Sequence, residues 1–253
     1  MKTDKSKDEE FEKKWSEAVK YEGAGHDYYY IKEYEDAAEM HLKAANLFKD
    51  IMDNVKNVNL KNRAESNYLI EKGNYIYSKA SKKLYIEKKF GEAEELFEEA
   101  AELMKKSLKI KISMANKVTE NNIINMNIHF LLERASISHA FKLLNELDGN
   151  NYDKIIEQFK IASTHDNLEM DFATQTGDFE RATRAQAREL YCKGQINRLK
   201  GRKALEKSEM KEAKERYLKA SEFFGKSAKL DKEWKEYKEL SKKMLNVADR
   251  LIV

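Results

Sequence analysis

Tyr34-x-x-Ala37-x-x-x-His41-x-x-Ala44 recurs three times further along the chain. The later copies are Phe90-x-x-Ala93-x-x-x-Phe97-x-x-Ala100, Tyr152-x-x-Ile155-x-x-x-Phe159-x-x-Ala162 and Met210-x-x-Ala213-x-x-x-Tyr217-x-x-Ala220. Each copy places a large residue at the start of a helix. Residues three, seven and ten positions later share one face of that helix, where alanine permits close approach and an aromatic ring fills the adjacent gap. Four copies at one spacing mark an internal repeat, and a repeat of this kind predicts stacked helical hairpins.

Other features agree. The chain has 253 residues and no proline, so nothing in it forces a helix to break. Runs of alternating β-branched residues bounded by turns are missing, and strands are not expected. Tyr34, Phe90, Tyr152 and Met210 recur every 56 to 62 residues, so each helix is long. The predicted fold is all-α: an antiparallel array of about nine helices forming a single domain over 1–253. Its hairpins cover about 9–55, 61–118, 123–165 and 179–230, and a capping helix covers 231–251. Asn54, Asn57, Asn59 and Asn62 suit a linker, since asparagine competes for backbone hydrogen bonds. Lys89-Phe90-Gly91 and Asp148-Gly149-Asn150-Asn151 read as turns. Asn121-Asn122 reads as a break between helices. Helix six is expected to end at His165, with Asp166 to Gly177 irregular and Asp178 capping the next helix. Asp231 is expected to cap the last one.

Composition narrows the function. Charged residues make up 37% and hydrophobic residues 41%, yet the net charge is only +3. An anionic partner must therefore be read by a local patch rather than a global field. The single cysteine, Cys192, excludes an internal disulfide. Met1 to Glu12 is charged and lacks an apolar run, which argues against a secretory signal. No stretch approaches the ~18 apolar residues of a membrane span. A cytoplasmic protein without membrane insertion is expected.

Catalytic and metal chemistry find little support. None of the five histidines has a glutamate three residues before it, as a helical di-iron motif requires. His41 replaces an aromatic repeat residue and reads as core. Cys192 lies mid-helix among packing residues, and the nine glycines form no phosphate loop. No enzyme, metal site or cofactor is expected. Glu92 to Glu102 followed by Lys105 to Lys111 complements a helix dipole and reads as a stabilising feature.

The seventh helix carries the most pointed signal. At ~100° per residue, Arg181, Arg184, Arg188, Arg198 and Arg202 fall on one ridge with Tyr191 and Gln195. Packing residues flank the ridge on both sides. Guanidinium forks in this arrangement suit acidic groups, and pairing with neighbouring glutamates is the plain alternative.

The units Tyr21, Ala24, Gly25, Tyr28, Tyr34, Ala37, His41, Ala44 and Tyr77, Ala80, Ser81, Leu84, Phe90, Ala93, Phe97, Ala100 resemble the tetratricopeptide repeat. Asn197, Gly201, Ala204, Met210, Ala213, Tyr217 and Ala220 repeat the pattern. The first hairpin alone, through Ala24-Gly25-x-x-Tyr28-Tyr29 and Tyr34-x-x-Ala37-Ala38, is also similar to soluble NSF attachment proteins. The repeat resemblance implies a concave groove lined by first-helix residues. By register these include Tyr29, Tyr75, Lys82 and Tyr85 in the first two units and Gln195, Arg198 and Arg202 in the fourth. It implies a non-enzymatic scaffold or adaptor for a protein or peptide segment. Arg188, Arg198 and Arg202 would hold acidic groups, and Tyr191 would stand beside them. Nucleic-acid binding through the arginine ridge is the alternative.

Overall fold

The computed structural model describes residues 4–114, 117–146, 151–231 and 235–251. Among these residues the secondary structure is entirely helical. The order is α1 (Asp4–Tyr30), α2 (Tyr34–Asn54), α3 (Val58–Lys82), α4 (Phe90–Ser113), α5 (Val118–Asn145), α6 (Tyr152–Thr176), α7 (Phe179–Glu206), α8 (Met210–Leu230) and α9 (Lys235–Asp249). A π-helical turn, Lys83–Glu87, continues α3. The chain divides into two units, Met1–Leu131 and Leu132–Val253, with the boundary inside α5.

The repeat residues form the helix contacts that their spacing implies. Ala37, Ala44, Ala93, Ala100, Ala162, Ala213 and Ala220 are fully buried, as are Phe97 and Phe159. In the first unit α1 packs on α2, α2 on α3 and α3 on α4. In the second, α6 packs on α7, α7 on α8 and α8 on α9. Close approach has a specific cause at two glycines. A Cβ on Gly25 would lie 2.7 Å from the His41 imidazole, and one on Gly194 would lie 2.5 Å from the Phe224 ring.

Several boundaries differ from expectation. Asn59 and Asn62 lie within α3; the cap is Asn57, whose side chain accepts from the Leu60 amide at 3.1 Å. Phe90 and Gly91, expected in a turn, open α4, which ends at Ser113, short of the expected 118. Asn121 and Asn122 are not a break but part of α5. The largest correction is α6, which does not stop at His165. It continues to Thr176 and ends at Gly177, whose φ of 78° supplies the left-handed closing residue. The extra turns are held by buried acids, Asp166 and Glu169, which an apolar pattern does not register. Asp178 caps α7 as expected, accepting from the Arg181 amide at 3.0 Å. Asp231 follows the end of α8 in an extended conformation. Residues 232–234, where a cap for α9 would act, and the expected turn at 148–150 lie outside the described residues.

Candidate partner-binding face

The arginine ridge of α7 divides into two parts by what each guanidinium touches. Arg181 Nε donates to Glu169 Oε1 at 2.7 Å. Arg184 pairs with Glu180 one turn back on the surface. Arg188 is buried; its Nε donates to Asp166 Oδ1 at 2.9 Å, and its Nη2 donates to Glu169. Burial alone would lower the Arg188 pKa. Glu169, Asp166 and Glu133 outweigh burial and hold it above the ordinary value. An outside ligand reaches Arg188 only by displacing carboxylates already in place, so it is not placed as a ready contact.

Arg198 and Arg202 differ. Neither forms an ion pair with a carboxylate among the described residues. Arg198 is half-buried. Its pKa is lowered by burial, with the Arg202 charge adding to that and Tyr191, Tyr217 and Glu236 opposing it. Arg202 is exposed, and its guanidinium lies 5.8 Å from the centre of the Tyr152 ring, a cation–π distance. Tyr152 directs its hydroxyl to Glu206, so that carboxylate is held by the phenol beside Arg202.

Tyr191 and Gln195 continue the same stripe inward. Tyr191 is buried, with its ring 5.1 Å from Tyr237 and 5.8 Å from Phe224. Gln195 is buried beside it, and its Oε1 accepts no hydrogen bond among the described residues. These two residues form the floor beneath Arg198 rather than a surface of their own.

Tyr29, Tyr75, Lys82 and Tyr85 belong to the first unit. Tyr29 stacks on Tyr77 with ring centres 4.6 Å apart, and its hydroxyl lies 3.0 Å from Ser81 Oγ. Tyr85 stacks on Tyr34 at 6.2 Å. Tyr29 and Tyr85 thus join one aromatic cluster with Tyr34 and Tyr77. Tyr75 stands apart between two ammonium groups, 4.6 Å from Lys72 and 5.2 Å from Lys79. Lys82 pairs with Glu35 and Glu87.

Two buried polar groupings escaped the sequence reading. In the first unit His41 Nδ1 lies 2.8 Å from Glu71 Oε2. Burial pushes Glu71 up to about 7 and His41 down to about 4, so the neutral pair is the cheaper form there. In the second unit Glu133, Asp166 and Cys192 converge from α5, α6 and α7. They are 33 and 26 positions apart in the chain, too far for any local motif to relate them.

Comparison with known proteins gives no family. No protein-family model matches the chain, and no curated protein matches it either. Among the described residues no helix is long and apolar enough to cross a membrane.

Proposed function

We propose that this chain is a non-enzymatic, cytoplasmic adaptor of the tetratricopeptide type that binds an acidic segment of a partner protein along α7. Arg198 and Arg202 provide the charge, Tyr152 and Tyr217 flank them, and Tyr191 and Gln195 form the buried floor beneath. The observation behind this reading is the uneven pairing of the ridge. Three of its five arginines meet carboxylates of this chain, and the two nearest the end of α7 meet none among the described residues. Half-burial of Arg198 raises the energy of leaving its charge uncompensated, and an acidic ligand would relieve that cost.

The test is capture from a lysate with wild type, Arg198→Glu/Arg202→Glu and the ridge control Arg184→Glu as baits. A protein partner held by wild type and the control but lost by the double variant is the expected result. Equal recovery by all three baits would move the binding surface elsewhere. Nucleic acid alone in the wild-type eluate, released steeply by salt, would replace an acidic peptide with a phosphate backbone as the ligand.

A further inference from the structure

We propose that Glu133, Asp166 and Cys192 form a binding site for one thiophilic divalent cation of the zinc class. The three side chains come from α5, α6 and α7, and each is 0% exposed. One ligand atom from each lies within 4.8 Å of the other two. Cys192 Sγ and Asp166 Oδ2 are 4.0 Å apart. Around a tetrahedral zinc, with Zn–O near 2.0 Å and Zn–S near 2.3 Å, such a pair stands roughly 3.5 Å apart. A contraction of about half an ångström brings that pair to tetrahedral spacing, and the Glu133 oxygen, within 4.8 Å of both, moves in by no more than about 1.5 Å.

The independent sign of a missing ligand is Glu133. Both of its carboxylate oxygens are buried, and neither makes a hydrogen bond among the described residues. Arg134 Nε approaches Oε2 to 3.2 Å but is not aligned as a donor. A buried carboxylate without donors is costly unless a cation or a proton meets it.

The surroundings resemble the outer shell that metal sites use. Arg188 holds Asp166 by Oδ1 and so directs Oδ2 to the thiol. The local charges allow a cation. Arg134 and Arg188 lie against Glu133, Asp166 and Glu169, and Arg181 meets Glu169 from a more exposed position; burial pushes the Glu133 and Asp166 carboxyls up, so a cation would take the place of protons there. Burial holds Cys192 as a thiol. Binding therefore releases its proton to solvent and forms a metal–thiolate bond, with no change of oxidation state. Thiolate in the donor set favours zinc over magnesium or calcium.

The probe is Co²⁺ added to the chelator-treated full chain. The chain has one cysteine, so a thiolate-to-cobalt charge-transfer band reports Cys192 alone. The expected result is a band that saturates at one Co²⁺ per chain and is erased by Zn²⁺. Glu133→Gln should weaken the affinity by at least about tenfold. Absence of the band in the wild type with excess Co²⁺ would overturn the site. So would a band of unchanged affinity in a folded Glu133→Gln. Should that variant not fold, the wild-type unfolding midpoint decides: Zn²⁺ must raise it, and an unmoved midpoint rejects the proposal.

Discussion

The two halves of α7 carry the same residue type on the same ridge and use it differently. At the N-terminal half, Arg181 and Arg188 face the acidic end of α6 and meet Glu169 and Asp166. At the C-terminal half, Arg198 and Arg202 face tyrosines, which soften a positive charge without cancelling it. The difference lies in the neighbouring helix, not in the arginines. A guanidinium with a buried carboxylate partner is part of the fold, and one that packs on rings with no carboxylate in ion-pair contact keeps its charge for something else. The first unit handles burial a third way, with the neutral His41–Glu71 pair.

The sharpest way to break this contrast is to remove Arg188. Arg188→Ala leaves Asp166 and Glu169 buried without their main counter-charge and should destabilise the protein by about 3–5 kcal/mol, read by urea unfolding. A loss of about 1 kcal/mol or less would mean that the paired half is no more structural than the other.

The neutral pair provides a contrast in pH. Glu71 sits near 7, above the ordinary 4.5, so its stabilisation is full below about 4.5 and lost as pH rises through 7. His41 sits near 4, below the ordinary 6.5, so its contribution is full above about 6.5 and lost as pH falls through 4. The two slopes cancel between about 4.5 and 6.5. Glu71→Gln removes one of them. Stability should then rise with pH from about 4 to 6.5, by up to about 1.4 kcal/mol per unit, while the wild type changes less over that range. Glu22 and His26 adjoin the pair; Glu22 is raised by burial and by Glu71, so Glu71→Gln also relaxes Glu22 toward its ordinary value.

A packing control follows. Gly194→Ala drives a methyl into the Phe224 ring and should cost about 1–3 kcal/mol without altering the arginines. It separates loss of close approach from loss of charge on the same helix. The smallest effects belong to the surface. Arg184→Ala removes an exposed pair one turn long and should change stability by less than about 0.5 kcal/mol. Arg202→Ala should cost about 0.5–1 kcal/mol through its contact with Tyr152. A larger loss from either would contradict the division of the ridge.

How much of this the sequence carries depends on the kind of contact. Alanine and aromatic spacing reports helix packing directly, and most of the residues it singles out are buried at the helix contacts, with Tyr28 and Met210 the exposed exceptions. The second half of α6 was not legible because its inward face is acidic. Asp166 and Glu169 look like loop residues until Arg188 is placed opposite them. The same blindness affected the ridge: its five arginines were visible as a stripe, but their sorting depends on turns of α6 that the pattern does not reveal. Tyr152 and Tyr217 were seen as repeat residues, and their place beside Arg202 and Arg198 needed the fold. Glu133, Asp166 and Cys192 sit on three helices, and only packing brings them together.

The most direct test of the divided ridge is a side-chain NMR titration of the arginine Nε–Hε groups with a poly-glutamate peptide. The account predicts that the Arg198 and Arg202 signals move while the Arg188 signal stays fixed and exchanges slowly with solvent. A moving or fast-exchanging Arg188, or Arg198 and Arg202 signals indifferent to the peptide, would contradict it.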